Sequence, residues 1–507
     1  MSNRFMIAGT GSGCGKTTIT CALLAALASM GKSVVSFKCG PDYIDPMFHK
    51  KATGVESRNL DLYLMGESGV KYGLTHHSAN KEISVLEGVM GIYDGLGDNS
   101  FASSNHVSVL TETPVVLVVN VKGLALSVCA VIKGFLDFEE NNIRAVILNN
   151  ASEGMFPLYK KMIEERLDIP VIGYLPYIPE AQIESRHLGL VTADEIADIK
   201  DKISRLKEQA LLCVDIERLL EIADVPPLES TQDSLPPIQE KSINGDSNTL
   251  LNRHPGLDPG SPHPSKNRHQ GMGLRVKPAM TKIVSEEPQE KQPVKLLVAK
   301  DKAFCFWYED NHDLLREMGA EMHFFSPIGD QELPDDADGL LLWGGYPELH
   351  GSALENNRSM RQSLKSAISN GLPVYAECGG FVYLQQSLTD LQGENREMLG
   401  VLPGNVKMTS KLHNFGYYEI EALRDNILCE KGNKINAHFF RRSVSDHEGD
   451  CFKAVKQNGR TFPCVVSEGN VFAGYQHLHF WGNPSFAANF INACAAYKKR
   501  SLSRSKG

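Results

Sequence analysis

At 507 residues the chain exceeds what one hydrophobic core normally supports, so two or three domains are expected, and 42% apolar with 22% charged residues makes them globular. A formal net charge of −9 lacks the basic surplus of a general nucleic-acid binder, no stretch approaches the roughly 20 apolar residues that cross a bilayer, and the first residues lack the basic-then-apolar order of a secretory signal. The expectation is a cytoplasmic protein with no nucleic-acid or membrane partner, whose 11 scattered cysteines, without C-x-x-C pairs, suggest neither a disulfide framework nor a zinc site.

The chain opens on Phe5-Met6-Ile7-Ala8-Gly9-Thr10-Gly11-Ser12-Gly13-Cys14-Gly15-Lys16-Thr17-Thr18: an apolar strand, a glycine loop ending in Gly-Lys-Thr, and a helix expected over 17–30. That order describes a phosphate-binding loop. Its glycines let consecutive backbone N–H groups face an anion at the helix N-terminus. Gly11, Ser12, Gly13, Cys14, Gly15, Lys16, Thr17 and Thr18 are the expected ATP contacts, with Lys16 reaching the β/γ-phosphates and Thr17 holding Mg²⁺. Thr10 stands where the first glycine usually does and Gly9 comes one residue early, so the loop is one residue longer than standard.

The next apolar run, 34–37, ends in Lys38-Cys39-Gly40-Pro41-Asp42-Tyr43-Ile44-Asp45-Pro46-Met47-Phe48-His49, a loop that can set a lysine and two carboxylates near phosphates. Run 83–86 then delivers Glu87-Gly88-Val89-Met90-Gly91-Ile92-Tyr93-Asp94-Gly95, with Glu87 at a strand end, where a metal-binding acid is wanted. Glu87 is therefore the second expected Mg²⁺ ligand and Asp45 the third. From position alone, Asp42 and Asp94 read equally as solvated loop acids. Runs 115–121 and 145–148 continue the pattern, and the last leads into Asn149-Asn150. Asn149 is expected to offer an amide to adenine, and Asn150 to shape a turn. Apolar runs alternating with helical stretches imply a mostly parallel sheet covered by helices, with ligands beyond the carboxyl ends of the strands.

Between Pro226 and Pro293 lie 11 of the 25 prolines and no aromatic residue or cysteine. A segment so composed cannot bury much and reads as a flexible linker. Within it, 253–260 and 276–282 look like the ends of a translated genomic repeat.

A second strand–helix series follows in runs 294–299, 322–325, 339–343 and 374–376. Val374-Tyr375-Ala376-Glu377-Cys378-Gly379-Gly380-Phe381 has the form of a nucleophile elbow, in which a sharp turn exposes the thiol before a helix. Gly344 and Gly345, in Trp343-Gly344-Gly345-Tyr346-Pro347-Glu348, end another strand with N–H groups suited to an oxyanion, and Gly379 adds a third. In Gly474-Tyr475-Gln476-His477-Leu478-His479-Phe480 the two histidines alternate along a strand, so either can be the base for Cys378.

These residues carry a resemblance to the cobyrinic acid a,c-diamide synthase family. The first half resembles a dethiobiotin-synthetase-type ATP domain through 37–46, Glu87–Gly91 and Arg186-His187-Leu188-Gly189-Leu190. The second is similar to a class I glutamine amidotransferase domain through Ala303-Phe304-Cys305-Phe306-Trp307-Tyr308, 344–348, 376–380 and 477–480. The resemblance implies an α/β fold in two domains, a P-loop-type doubly wound sheet over 1–225 and a flavodoxin-like amidotransferase domain over 294–498, joined by the 226–293 linker and followed by a basic tail at 499–507. It makes Cys378 the nucleophile and His477, rather than His479, its base. No acid stands two residues after His477, so the family is expected to manage with the pair. Lys38 and Asn149 join the ATP site, Asp42, Tyr43, Ile44, Asp45 and Asp94 bind substrate, and Thr17, Asp45 and Glu87 hold the metal.

The implied reaction is ATP- and glutamine-dependent amidation of the a and c carboxylates of cobyrinic acid through acyl phosphates, with Mg²⁺ as cofactor. Cobyrinic acid or a related tetrapyrrole, L-glutamine and ATP are the partners, and a homodimer is left open. Two alternatives are the same chemistry on hydrogenobyrinic acid or nickel sirohydrochlorin, and a partitioning-type P-loop ATPase switch with a non-catalytic second half. The switch group carries a lysine five residues before the main one, where this chain has Gly11. Trp343 replaces a usual glycine and is expected to crowd the oxyanion region. Ala437-His438-Phe439-Phe440-Arg441-Arg442-Ser443 departs from Gly-His-Glu-Phe-His-Tyr-Ser.

Overall fold

The computed structural model describes residues 3–181, 198–228 and 293–504. The 186–190 phrase, nearly all of the 226–293 linker and the last residues of the basic tail lie outside them.

The first half contains β1 (Asn3–Gly9), α1 (Lys16–Ser29), β2 (Val34–Cys39), α2 (Ile44–Thr53), β3 (Glu56–Leu60), α3 (Leu62–Ser78), β4 (Ile83–Glu87) and α4 (Ser104–Leu110). It continues through β5 (Val115–Asn120), α5 (Ser127–Asp137), β6 (Ile143–Asn149), α6 (Phe156–Leu167), β7 (Val171–Leu175), α7 (Ile199–Cys213) and α8 (Ile216–Ala223). Its sheet runs β3-β2-β4-β1-β5-β6-β7 with every pair parallel. Both faces are covered, as a parallel sheet of Val, Ile and Leu runs requires. Along β1 the side chains alternate, Phe5 and Ile7 packing with α1, α7 and α8 residues such as Leu23, Leu206 and Leu219, while Met6 and Ala8 pack with Phe37, Leu74 and Ile163 on the other face.

The second half begins with β8 (Val294–Ala299), α9 (Glu309–Glu317), β9 (Ala320–Phe325), β10 (Gly339–Leu342), α10 (Gly351–Asn356), α11 (Arg358–Ser369), β11 (Val374–Glu377) and α12 (Gly379–Leu384). There follow β12 (Ser387–Thr389), β13 (Asn395–Glu397), β14 (Asn405–Ala422), β15 (Lys434–Ser445), β16 (Phe452–Val455), β17 (Thr461–Cys464), β18 (Val466–Glu468), β19 (Val471–Gly474), β20 (Gln476–Leu478) and α13 (Ser485–Arg504). One sheet runs β18-β19-β11-β10-β8-β9. Its five parallel strands, taken in chain order, follow the flavodoxin-like sequence second, first, third, fourth, fifth. A further, largely antiparallel sheet, β13-β12-β14-β15-β20 with β16 and β17 beside β14, extends the expected architecture. No described helix is long and apolar enough to cross a membrane.

The two halves pack into one compact unit. His77 Nε2 lies 2.6 Å from Asp310 Oδ1, and Arg58 Nη1 lies 2.6 Å from Asp313 Oδ2. Tyr417 on β14 donates to Asp61 Oδ2 at 2.6 Å, and Asn436 Nδ2 donates to the Tyr63 carbonyl at 2.7 Å. Asp61 also caps α3, accepting from Leu64 N–H at 2.9 Å. Burial pushes its carboxyl up to about 6, against the lowering pull of Tyr417 and Leu64. A carboxyl raised in the folded state is neutral in both states only well below its ordinary value of 3.8, and its cost to stability develops as pH rises from there through about 6. Asp61→Asn keeps the cap and the shape. It is expected to match the parent at about pH 2.5 and to exceed it by roughly 1–3 kcal/mol at pH 8; equal differences in thermal midpoint at both pH values would refute the assignment.

Candidate functional site

The phosphate loop spans the end of β1 and the start of α1. Gly15 caps the helix at φ 103°, and a Cβ there would fall 2.1 Å from Asn149 Nδ2, so only glycine fits. Asn149 Nδ2 donates to the Cys14 carbonyl at 2.8 Å. The end of β6 thus braces the loop, while Asn149 also lines the cavity. Asn150 does shape a turn, at φ 61°. Lys16 Nζ donates to the carbonyls of Gly11 at 2.9 Å and Met90 at 2.5 Å, folded over the loop in the place of phosphate oxygens. Burial lowers its pKa.

Beneath the loop sits a buried charge cluster. Glu87 Oε1 accepts from Thr17 Oγ1 at 2.6 Å and Lys38 Nζ at 2.9 Å, while Oε2 faces His49 Nε2 at 2.6 Å. Lys38 also pairs with Asp45 Oδ2 at 2.8 Å. Burial alone would raise the Glu87 carboxyl, yet Lys38, His49 and Thr17 hold it well below the carboxylate range. Burial likewise opposes the Lys38 charge, and Asp45 and Glu87 outweigh it. The structure therefore brings Thr17 and Glu87 together as sequence suggests, and sets Asp45 on the far side of Lys38. Among the described residues no group of three or more His, Cys, Asp or Glu side chains is placed to hold a metal.

Asp42 accepts from the Ile44 N–H at 2.8 Å, and burial, then the Asp45 charge, pushes its carboxyl up to about 7. Asp94 accepts from the Gly91 N–H at 2.7 Å and closes the turn after Glu87.

In the second half, β11 ends at Glu377 and the chain turns sharply at Cys378, φ 43° and ψ −100°, a strained position for a residue with a Cβ. Its N–H donates to Gly474 O at 2.8 Å, and a Cβ on Gly380 would fall 1.9 Å from the Leu342 carbonyl, so the elbow is pinned between β10 and β19. His477 on β20 lines the cavity with Cys378. Burial opposes its charge, but Cys378 and Glu377 raise its pKa to about 10. A Cβ on Gly344 would fall 3.1 Å from His477 Cε1, and one on Gly379 would fall 2.9 Å from the Gly345 nitrogen. All three expected oxyanion glycines thus surround the Cys–His pair.

Other expectations change. His479 stacks on Tyr308 with centroids 4.9 Å apart, and burial lowers its pKa to about 4, so it is a neutral core ring. Trp343 is fully buried against His312, Tyr375 and Phe480, pointing away from the thiol, so it does not crowd the oxyanion glycines. Sequence reasoning missed Glu377, whose Oε2 lies 3.4 Å from His477 Nδ1. It also missed the β14–β15 hairpin, whose Phe415, Tyr417, Phe440 and Arg442 line the site.

One cavity of about 1590 Å³ joins everything. It is lined by Ser12, Gly13, Lys16, Thr17, Thr18, Lys38, the 41–45 loop, Glu87 and Asp94 from the first half, and by Gly345, Cys378, Gly379 and His477 from the second. Tyr43 lies where they meet, its ring 4.4 Å from Tyr308, 5.8 Å from Phe306 and 5.3 Å from His477 between centroids.

Comparison with known proteins agrees with this layout. Residues 5–191 match the CobQ/CobB/MinD/ParA nucleotide binding domain, and 295–485 match the CobB/CobQ-like glutamine amidotransferase domain. The chain is 38% identical over 488 residues to a cobyrinate a,c-diamide synthase of Clostridium tetani, covering 95% of this chain and 98% of that protein. Proteins of the same name from Listeria innocua and Caldanaerobacter subterraneus subsp. tengcongensis are 37% and 34% identical, covering 97% and 99% of this chain and 99% and 100% of their own.

If Asn149 shapes the loop, Asn149→Ala should weaken nucleotide binding roughly tenfold by freeing the Cys14 carbonyl. Titration with a fluorescent ATP analogue in Mg²⁺ checks this, and an unchanged Kd would count against the brace.

Proposed function

The chain belongs to the cobyrinate a,c-diamide synthase family, glutamine-dependent and ATP-using ligases of cobalamin biosynthesis, and we propose that it works in the cytoplasm, amidating the a and c carboxylates of cobyrinic acid through acyl phosphates. The observation that carries this reading is the single cavity shared by the phosphate loop, the acidic 41–45 loop and the Cys378–His477 pair. The shared cavity offers ammonia a route from one end to the other.

At the amidotransferase end, Cys378 Sγ attacks the side-chain carbonyl carbon of glutamine, and the N–H groups near Gly345 and Gly379 receive the oxyanion. His477 gives its proton to the departing nitrogen, ammonia leaves, and water then splits the thioester to glutamate. At the ligase end, Lys16 exchanges the Gly11 and Met90 carbonyls for phosphate oxygens. A corrinoid carboxylate oxygen attacks the γ-phosphorus and ADP departs. Ammonia next attacks the acyl carbon, the C–N bond forms and the C–O bond to phosphate breaks. Thr17 and Glu87 present adjacent hard oxygen donors, 2.6 Å apart, that would hold Mg²⁺, with Asp45 the nearby acid that would complete the set. When bound, the ion neutralises charge on the β- and γ-phosphates.

The test incubates the protein with Mg·ATP, glutamine and cobyrinic acid and follows mono- and diamide by mass spectrometry, beside Cys378→Ala. Diamide from the parent is expected, with the variant active only when ammonia is supplied. ATP hydrolysis without corrinoid change would move the substrate to hydrogenobyrinic acid or nickel sirohydrochlorin, and turnover indifferent to glutamine and tetrapyrroles would leave the switch reading.

A further inference from the structure

Glu377 sits immediately before the nucleophile, yet its side chain is turned the other way, fully buried behind His477. Its Oε1 is fixed twice, by the Tyr375 hydroxyl and by the Leu478 N–H at 2.9 Å. Its Oε2 is held by nothing else among the described residues and points at His477 Nδ1, 3.4 Å away. Nδ1 is equally sealed from water and equally without a hydrogen-bond partner. A buried donor and a buried acceptor, each otherwise unsatisfied, face one another. Leaving either unpaired is costly, so each is the natural complement of the other. The gap is slightly longer than an ordinary hydrogen bond, and catalytic contacts of this kind tighten when substrate closes the site.

We propose that Glu377 is the positioning acid of the amidotransferase centre, facing His477 Nδ1 so that the opposite ring nitrogen is turned toward Cys378. The role rests on the reading of Cys378–His477 as a glutaminase. It replaces the acid missing two residues after His477, a place that His479 fills with a neutral ring stacked on Tyr308. The other groups facing His477 do not compete: Tyr43 offers only a ring face at 5.3 Å, and His438, its partner across β15–β20, is kept neutral by burial and by the His477 charge. The carboxylate also belongs to the same turn as the thiol, so strand β11 sets nucleophile and acid in one rigid piece on either side of the imidazole.

The experiment compares the full-length parent with Glu377→Gln and Glu377→Asp in two reactions, glutamate release from glutamine and ammonia-supported diamide formation. The amide of E377Q removes the anion facing Nδ1 and can set a donor against it. A fall of about 100-fold or more in glutaminase kcat is expected, with KM for glutamine changed less than about threefold. The alkaline limb of the kcat/KM profile should move down by at least about one pH unit, because the imidazolium loses its anion. Ammonia-supported synthesis should survive, showing that the fold and the ligase end are intact, and E377D should recover part of the lost rate. A parent that releases no glutamate would sink the glutaminase reading and this role together. A parent that does so, beside an E377Q with unchanged kcat and pH profile, overturns the role alone. Loss of the ammonia reaction in both variants would assign Glu377 to the fold and overturn it equally.

Discussion

The packing of Tyr43 against Tyr308, Phe306 and His477 is the contact on which the rest of the arrangement depends. Two open sheets each place their ligand sites beyond the carboxyl ends of their strands, and two such domains joined by a long connection have no reason in themselves to face each other. Tyr43 removes that freedom. Its loop is carried by β2 and α2 of the first half, its ring lies on aromatic residues of the second, and Tyr308 returns a hydrogen bond to the Pro41 carbonyl at 3.2 Å. The strand ends therefore meet mouth to mouth. The contacts His77–Asp310 and Arg58–Asp313, with Asp310 buried and Arg58 largely so, fix the orientation at a second place between the halves.

Within the first half a second constraint operates, the cost of keeping Glu87 ionised without water. A buried carboxylate is tolerated only when its lone pairs are filled, and Thr17, Lys38 and His49 fill them. His49 is itself held through Nδ1 by Ser36 Oγ at 3.0 Å. The cluster keeps the acid charged and aimed at the loop before any nucleotide arrives. Lys38 bridges Glu87 and Asp45, and so ties the Asp45 loop to the acid beneath the phosphate loop.

What was legible in the sequence follows from which signals are local. The phosphate loop could be read because its glycines answer local needs, such as the close approach of Asn149 to Gly15. The parallel strands announced themselves as apolar runs, with ends within a few residues of those observed. Strand β3, Glu-Ser-Arg-Asn-Leu, carries no such run because it lies at the sheet edge and spends Arg58 and Asn59 on contacts outside the sheet. The β14–β15 hairpin was hidden for a related reason: β14 is exposed or half-buried throughout 407–417 and buries alternate residues only from Tyr418 onward, so no apolar run marks it. Asn149 was placed at the right strand end, but its donation to the Cys14 carbonyl was not foreseen, since sequence names a donor without naming what it meets.

Glu377 and Trp343 show the same limit from opposite sides. An acid was sought along β20, two residues beyond His477, because a strand brings alternate residues to one face. The acid instead comes from β11, where the elbow at Cys378 throws consecutive side chains to opposite sides of the imidazole, a relation that no spacing rule within one strand contains. Trp343 looked harmful because it stands beside the oxyanion glycines in sequence. Those glycines are aimed by the turn, while Trp343 belongs to the end of β10 and follows the pleat into the core, where His312, Tyr375 and Phe480 receive it. Phe439 behaves likewise, buried against Tyr418 and Phe462. Trp343 and Phe439 thus pack into the core, whereas Arg441 and Arg442, two further departures in the same segment, line the cavity.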